Sequence, residues 1–289
     1  MFAFGKGAEL GIGIVDRNGV ARGVLRGDPA FPGTIDELLH VGESAVTDAA
    51  RSLAMARVVD LESITFRPPL ACATSKIICV GLNYTEHTRE SGYAPPTYPT
   101  LFTRYPSSLV GHRESLIRPL VSEQFDYEGE LVAVIGARGR HISRSKALDY
   151  VAGYSVFNDG SIRDFQHRTP QWTMGKNFDR TGSFGPYFVT PDEVPPGGKD
   201  LKLQTRLNGR VVQSASTSEM VFSVIDLISI ASEAMTLQPG DIIVAGTPSG
   251  VGAGRKPPLW MKAGDRCEVE IEGVGLLMNP VADETGAKQ

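Results

Sequence analysis

The stretch EGELVAVIG, residues Glu128–Gly136, predicts a buried strand that begins with two acidic side chains. Side chains at i and i+2 of a strand point to the same face, so the carboxylates of Glu128 and Glu130 are expected to converge. Two ionised groups roughly 5 Å apart at an effective dielectric constant of about 20 repel each other by about 3 kcal/mol. The strand contains no Lys or Arg, so either one acid holds a proton or a cation lies between them.

The alternative is an edge strand with both acids solvated, which is the more common outcome for an isolated pair of this kind. A third acid changes the balance. Asp159 follows a second apolar segment, Tyr150–Asn158, with no His or Cys beside it. Hard cations prefer an all-oxygen set of ligands. The sequence therefore predicts Mg²⁺ or Mn²⁺ at Glu128, Glu130 and Asp159, with Ca²⁺ as the next choice.

Composition and charge argue against several classes of protein. The chain has 289 residues and a formal net charge of −4, which disfavours nucleic acid as a partner because nucleic-acid-binding proteins carry a basic stripe. No apolar run approaches about 18 residues, so no membrane-spanning segment is expected, and the first residues do not resemble a secretory signal. The three cysteines are far apart or in apolar context, which predicts reduced thiols that serve packing in a cytoplasmic protein.

Turn signals and periodicity predict a β-dominated α+β chain of two parts. Residues 1–70 are expected to form a small β-rich N-terminal domain, with a hairpin at Asp16–Gly19. Phe66–Pro69 is expected to link this unit to the main domain, residues 71–289. The clearest elements of the main domain are the strand Lys76–Val80, the hairpin at Asn208–Gly209 and the helix Ser223–Met235.

The segment Asn83–Glu90 (NYTEHTRE) predicts a two-turn helix with Asn83 as its N-cap and Glu86 completing the cap. His87 and Glu90 are then i and i+3, within reach of each other, and a carboxylate beside an imidazole orients the ring as a general base. A helix this short suits a lid that orders over substrate. The alternative, a surface helix with one ion pair, is more common for such residues alone. The other histidines are expected to be exposed or structural: His40, His112, His141 and His167.

Several polar residues elsewhere have both a functional and a structural interpretation. Lys176 lies among apolar and small residues, where it can face the acids and stabilise an oxyanion or remain a surface Lys with a packed stem. Gln166 can contact substrate or cap a turn. The hydroxyl of Thr247 and the backbone N–H groups around it can hold a carboxylate, or this segment is only a tight loop. Arg163 and Asp164 are expected to form a structural ion pair.

Six motifs in this order resemble the fumarylacetoacetate hydrolase superfamily, over roughly residues 70–282. They are VGLNYTEH (80–87), DYEGELVAVIG (126–136), GYSVFNDGSIRDFQ (153–166), QWTMGKNFD (171–179), LNGRVVQ (207–213) and PGDIIVAGTPSGVG (239–252). The resemblance implies a mixed β-sandwich roll behind a variable N-terminal β domain, and a homodimer. It also implies a small-molecule dioxo acid as substrate.

The resemblance implies roles for the residues at matching positions. The metal ligands of the family fall on Glu128, Glu130 and Asp159, its catalytic pair on His87 and Glu90, its Lys on Lys176, and its substrate-contacting Gln and Thr on Gln166 and Thr247. Many relatives have FxKPxS where this chain has FTRYPSS, so Arg104 is expected to replace the charge of a substrate-binding Lys, with a different donor geometry. Candidates for the pocket of the acyl group are Tyr84, Tyr93, Tyr98 and Arg104.

The resemblance further implies a metal-dependent hydrolase of aromatic catabolism that cleaves a C–C bond in a 2,4-dioxo acid, of the acylpyruvate or fumarylpyruvate type, to pyruvate and a carboxylic acid. In this hypothesis His87, oriented by Glu90, deprotonates the attacking water, and Lys176 supports the oxyanion. The motifs do not separate hydrolysis from oxaloacetate-type decarboxylation or from isomerisation of a dioxo acid. A non-catalytic metal-bound scaffold is the alternative from another class, which the complete set of acids and the His–Glu pair argue against.

Overall fold

Strands predominate in the computed structural model, which describes residues 1–92, 94 and 96–286. The strands are β1 (Phe2–Lys6), β2 (Glu9–Val15), β3 (Ala21–Leu25), β4 (Arg57–Val58), β5 (Thr65–Arg67), β6 (Ile77–Gly81), β7 (Thr100–Thr103), β8 (Leu109–Val110), β9 (Leu116–Arg118), β10 (Phe125–Asp126), β11 (Gly129–Ile135), β12 (Val151–Asn158), β13 (Ser161–Ile162), β14 (Gly182–Val189), β15 (Lys202–Leu207), β16 (Arg210–Ser216), β17 (Ile242–Val244), β18 (Arg266–Ile271) and β19 (Gly275–Asp283). The α-helices are α1 (Ile35–Val41), α2 (Glu43–Ala54), α3 (Thr85–Glu90), α4 (Arg163–Gln166), α5 (Thr173–Lys176) and α6 (Val224–Ala234). This confirms the predicted β-dominated α+β class.

The N-terminal sheet has the strand order β4-β3-β2-β1-β5. The predicted hairpin joins β2 to β3 with Val15 opposite Ala21. The prediction that Phe66 and Arg67 belong to a linker is wrong, because both lie in β5, which pairs with β1. Phe66 is buried and its ring packs against that of Phe2 at 5.7 Å between centroids, so the apolar side chain adds this segment to the sheet.

The largest sheet has seven strands in the order β7-β6-β17-β11-β12-β14-β8 and is mixed, with β6 parallel to β17 and β11 antiparallel to both of its neighbours. The strand β11 lies at its centre, and all of its residues are buried. Its apolar side chains alternate between two cores, with Leu131 and Ala133 in one and Val132 and Val134 in the other. The edge-strand alternative for these acids is therefore wrong.

Another five-stranded sheet, with the order β16-β15-β18-β19-β9, packs against the large sheet. The predicted Asn208–Gly209 turn joins β15 to β16. Gly129 permits the close approach of the two sheets, because a Cβ atom there would lie 2.3 Å from Thr205 Oγ1. The helix α6 packs on the core that contains Leu131 and Ala133. Its N-cap is Ser223, whose hydroxyl caps the helix.

The helices α1 and α2 of the N-terminal part pack on the large sheet, so Ile35 and Leu38 share one core with Val132 and Val134. Apolar contacts therefore cross the predicted domain boundary at residue 70, and the division into two domains stays a prediction. Among the residues that the structure describes, the helices are all too short or too polar to cross a membrane. The three cysteines are buried free thiols, as predicted.

Candidate active site

The central strands bring three acids together at one end of the large sheet. Glu128 precedes β11, Glu130 lies within it, and Asp159 follows β12. Because β11 and β12 are antiparallel, the beginning of one lies beside the end of the other, and the Asp159 N–H donates to the Glu128 carbonyl at 2.8 Å. One carboxylate oxygen from each acid lies within 4.8 Å of the others, and all three side chains are buried. We call this set the acid floor.

Each carboxylate of the acid floor has one oxygen fixed by a donor on its outer side. The contacts are Arg163 Nη2 to Glu128 Oε1, Arg104 Nη1 to Asp159 Oδ1, and the Gly246 N–H to Glu130 Oε2, each at 2.6 Å. Contacts of a guanidinium with a carboxylate are short and fix its orientation, and the neutral backbone N–H of Gly246 orients Glu130 in the same way. The second oxygens of the three acids are left facing one another.

Lys176 supplies a cation between two of these oxygens. Its Nζ lies 2.7 Å from Glu128 Oε2 and 2.6 Å from Asp159 Oδ2, and the side chain is buried. Burial alone would lower the pKa of Lys176, but the charges of Asp159 and Glu128 outweigh it and raise the pKa. A proton or a cation was expected between the acids. Here the positive charge comes from α5, far from the strand in sequence.

The balance between burial and neighbouring charges also gives the acids different pKa values. Burial opposes ionisation of Glu128, but the charges of Arg163 and Lys176 lower its pKa to about 2. Burial, together with the neighbouring Asp159 and Glu128 carboxylates, raises the pKa of Glu130 well above its usual range. A divalent cation would supply the charge that Glu130 lacks. The hard oxygen donors and the uncompensated third acid therefore fit Mg²⁺ or Mn²⁺.

The predicted His–Glu pair is present on α3. His87 Nδ1 lies 3.3 Å from Glu90 Oε2, and His87 is buried. Both carboxylate oxygens of Glu90 accept from the Gly250 N–H, at 3.0 and 3.1 Å. Since Nδ1 faces a carboxylate, the other ring nitrogen is available for proton transfer. We call His87 and Glu90 the base wall.

The prediction that Asn83 caps this helix is wrong, because the N-cap is Tyr84 and the cap carries no side-chain hydrogen bond. Asn83 is fully buried, and its amide donates to the carbonyls of Phe222 and Ala245 at 2.9 and 2.6 Å. Its Oδ1 accepts from the Phe222 N–H. Asn83 therefore joins the beginning of α3 to the segments before α6 and after β17.

The predicted substrate residues differ in how they are placed. Arg104 does not line the cavity. It is buried behind Asp159, and its guanidinium also donates to the Gly160 carbonyl, to Ser108 and to the Thr181 hydroxyl. This position suits a group that orients Asp159 and neutralises its charge.

Gln166 and Thr247 both line the cavity. Gln166 Oε1 accepts from Arg163 Nη1 at 2.8 Å, which leaves the amide N–H₂ as the donor for a ligand. The Thr247 hydroxyl donates to the Gly129 carbonyl at 3.0 Å and accepts from Gln213 Nε2 at 2.8 Å. Since that hydroxyl hydrogen is already used, Thr247 offers a ligand only a lone pair.

The prediction of an Arg163–Asp164 pair is wrong. Arg163 Nε donates to Asp126 Oδ2 at 2.8 Å, whereas Asp164 accepts from the Ser122 hydroxyl at 2.6 Å. Asp126 was missed by the sequence reasoning, although its spacing of two residues before Glu128 was a usable signal. His167 is exposed, as expected, and it also lines the cavity, where partial desolvation and the nearby positive charge of Arg163 lower its pKa.

A cavity of about 240 Å³ is lined by Glu128 and Glu130 of the acid floor and by both residues of the base wall, whereas Asp159 is fully buried and does not line it. Its apolar wall is formed by Phe102 and Trp172, whose rings meet edge to face at 5.5 Å. Tyr84 is buried outside this wall, Tyr98 is exposed, and Tyr93 lies outside the described residues. Among the described residues, the apolar side of the cavity is therefore built from neither Tyr84 nor Tyr98.

Comparisons with known proteins show the family and the overall fold. Residues 76–282 match the family described as fumarylacetoacetate (FAA) hydrolase C-terminal. The mitochondrial oxaloacetate tautomerase Fahd2a of Rattus norvegicus is 42% identical over 279 residues, which cover 95% of this chain and 86% of that protein. The fumarylacetoacetate hydrolase of Exiguobacterium antarcticum superposes with a TM-score of 0.86 at 35% identity, over 98% of this chain and 99% of that one. The fumarylpyruvate hydrolase of Pseudomonas aeruginosa, solved with Mn²⁺ and pyruvate, has a TM-score of 0.66 at 32% identity, over 72% and 90%.

Proposed function

The chain belongs to the fumarylacetoacetate hydrolase family, and from this premise we propose that it interconverts the enol and keto forms of an oxaloacetate-type 2-oxo acid. The observation that carries the proposal is the cavity with an acid floor on one side and a carboxylate-bound imidazole on the other. The reaction needs only a place for the 2-oxo acid head and a group that moves one proton. The oxaloacetate tautomerase named above supports this choice over the other family reactions.

Glu128, Glu130 and Asp159 would hold the divalent cation, with Mg²⁺ or Mn²⁺ preferred over Ca²⁺. Mn²⁺ is present in the Pseudomonas aeruginosa relative, which supports this choice. When bound, the cation would draw electron density from the carboxylate and 2-oxo oxygens of the substrate and so make the C3–H more acidic. The oxygens fixed by Arg104, Arg163 and Gly246 hold the three acids in place whether or not substrate is present.

His87 would carry the proton. In the enol-to-keto direction C3 gains a proton and the enol oxygen loses one, so a group that both donates and accepts is needed. Glu90 holds Nδ1 of His87 and stabilises the charged imidazolium between the two transfers. The negative charge that develops on the 2-oxo oxygen would lie next to the Lys176 ammonium, and the Gln166 amide would donate to a substrate carboxylate.

The test follows the ultraviolet absorbance of enol-oxaloacetate as it converts to the keto form. Purified protein with Mg²⁺ or Mn²⁺ is compared with the same protein in EDTA and with His87→Asn. We expect the wild-type protein to accelerate the conversion at least about 10²-fold, and both controls to lose most of this acceleration. If the metal-loaded wild type leaves the conversion at the buffer rate, the proposed function is wrong.

Hydrolysis of an acylpyruvate or fumarylpyruvate is the second candidate, and the similarity to the fumarylpyruvate hydrolase supports it. Here His87 would deprotonate a water molecule that attacks the 4-carbonyl, and the products would be pyruvate and a carboxylic acid. Pyruvate release separates the reactions. Release from acylpyruvates indicates hydrolysis, release from oxaloacetate indicates decarboxylation, and absorbance change without pyruvate indicates tautomerisation.

We also propose that the chain forms a homodimer, as the family resemblance implies, and that it works in the cytoplasm on a small dioxo acid. The rat relative is named as mitochondrial, so the cytoplasmic location needs its own test. Light scattering of the purified protein would decide the oligomeric state, and fractionation of source cells would decide the location. A monomeric mass or an organellar fraction would contradict the respective proposal.

A further inference from the structure

Asp126 is a buried acid that the proposed chemistry does not use. It is fully buried, and its two oxygens accept four hydrogen bonds. Oδ1 accepts from the Tyr127 and Gly252 N–H groups at 2.9 and 2.7 Å. Oδ2 accepts from the Ala253 N–H at 2.9 Å and from Arg163 Nε at 2.8 Å. All four partners are donors, so only an ionised carboxylate satisfies them.

One branch of this network reaches the acid floor. Arg163 donates from Nε to Asp126 and from Nη1 to Gln166 Oε1, and its Nη2 forms an ion pair with Glu128 Oε1. The planar guanidinium is rigid, so fixing one of its nitrogens fixes the other two. Asp126 therefore orients the groups that hold a metal ligand and a substrate-facing amide.

The other branch reaches the base wall. The N–H groups of Gly252 and Ala253 bind Asp126, and this fixes the loop that continues from Gly250, whose N–H holds Glu90. The loop backbone also packs directly on Glu90, because a Cβ atom at Gly254 would lie 2.5 Å from its Cδ. The position of His87 depends in turn on Glu90.

We propose that Asp126 is a positioning residue that sets the separation between the acid floor and the base wall. It is not a metal ligand, since both of its oxygens are directed to Arg163 and to backbone donors. The inference rests on the proposed function for its kinetic consequence, but not for its effect on metal binding. Outer partners of metal ligands typically contribute about 10- to 100-fold to metal affinity.

Asp126→Asn is a sharp test because the substitution keeps the shape and inverts the hydrogen bonding at one atom. If the amide nitrogen replaces Oδ2, it faces the donors of Ala253 and Arg163. If it replaces Oδ1, it faces the donors of Tyr127 and Gly252. Either orientation opposes two N–H groups with a donor. The matched control is Asp164→Asn, because the only side-chain hydrogen bond of Asp164 within the described residues is the one from the Ser122 hydroxyl.

Four quantities are measured on each variant: Mn²⁺ affinity by calorimetric titration, kcat and KM at saturating Mn²⁺, and the melting temperature. We expect Asp126→Asn to bind Mn²⁺ at least about 10-fold more weakly and to lose at least about 10-fold in kcat at saturating metal. A loss in kcat that excess metal does not restore is the mark of a displaced base wall. Asp164→Asn should match the wild type in both respects.

A lower melting temperature with unchanged Mn²⁺ affinity and unchanged kcat would overturn the proposal, because Asp126 would then serve the fold alone. If Asp126→Asn does not fold, Arg163→Lys replaces it, since an ammonium cannot hold Asp126, Glu128 and Gln166 together, and the same weakening is expected. If the wild type does not turn over oxaloacetate, the proposed function fails. The Mn²⁺ affinity of the variant then still decides the role of Asp126.

Discussion

The acid floor and the base wall face one cavity but are held in different ways. The floor lies on the two central strands of the large sheet, and each of its acids is fixed by a short bond on its outer side. The base wall lies on a six-residue helix without a side-chain cap, where the Gly250 N–H holds Glu90 and, in the part of the chain that the structure describes, Glu90 makes the only side-chain hydrogen bond to His87. Charge stabilisation requires fixed groups, whereas the imidazole must bond in both protonation states.

Substitution of an acid in the acid floor has the largest expected effect on Mn²⁺ binding and activity. Glu130→Gln and Asp159→Asn each remove one ligand, so both should lose measurable Mn²⁺ binding, and activity should fall to that of the metal-free protein. Their stabilities should differ in sign. Asp159→Asn leaves the buried Arg104 without its charged partner and should cost about 3–5 kcal/mol. Glu130→Gln removes a carboxylate that its neighbours repel, and its amide oxygen can still accept from Gly246.

The measurements are urea unfolding in EDTA and Mn²⁺ titration of both variants. Equal losses of stability would show that the outer bonds do not distinguish the acids. Retained Mn²⁺ affinity in either variant would contradict the metal site itself.

The base wall should show the opposite pattern. His87→Asn is expected to lower kcat by roughly 10²- to 10⁴-fold, the usual contribution of a general acid or base, because no other imidazole in the described residues is bonded to a carboxylate. Mn²⁺ affinity should change less than about twofold and the melting temperature little, since His87 does not contact the acid floor through a hydrogen bond. If His87→Asn loses Mn²⁺ affinity together with activity, the acid floor and the base wall depend on each other.

The pH dependence of stability should locate the uncompensated charge in the floor. The pKa of Glu130 is raised in the folded protein by burial and by Asp159 and Glu128, so between its unfolded and folded pKa values the native state holds one more proton. In EDTA, the contribution of Glu130 to the free energy of unfolding should therefore be fully present below about pH 4.5. Above that pH it should fall by about 1.4 kcal/mol per pH unit until the pH reaches the folded pKa of Glu130. Glu130→Gln should remove this slope, and added Mn²⁺ should reverse it because the metal displaces the proton.

Urea unfolding from pH 5 to 8 checks both statements. A wild-type slope that survives in Glu130→Gln would place the proton on another group.

The local features of the acid floor and of the base wall could be predicted from the sequence. Alternation fixed Glu128 and Glu130 on one face, apolar runs located the central strands, and a spacing of three residues paired His87 with Glu90. These inferences use neighbours in the chain, where periodicity determines which side chains meet. The site roles of the predicted residues stay predictions until the experiments above are done.

Of the counter-charges, only Lys176 was anticipated, as one of two interpretations, and no local pattern placed any of them against a particular acid. Arg104 reaches Asp159 across 55 residues, and Lys176 reaches Glu128 across 48, so no short pattern connects them. The wrong Arg163–Asp164 pair has the same origin, since adjacency was used where the fold brings Asp126 closer. Phe66 was assigned to a linker because two prolines follow it, whereas its burial against Phe2 depends on β1, more than 50 residues earlier.

The smallest effect should come from Glu90→Gln, which tests whether the base wall needs the charge of Glu90 or only its oxygen. The Gly250 N–H bonds both carboxylate oxygens, at 3.0 and 3.1 Å, so an amide oxygen in place of Oε2 can accept from Gly250 and from His87 Nδ1, while the amide nitrogen in place of Oε1 faces the Gly250 N–H and weakens that contact. The ring then keeps its acceptor at Nδ1 and loses the charge that stabilises the imidazolium. We expect kcat to fall roughly 10-fold, about 1.4 kcal/mol, with KM and Mn²⁺ affinity unchanged. A loss as large as that of His87→Asn would show that the charge, and not the orientation, makes His87 a base.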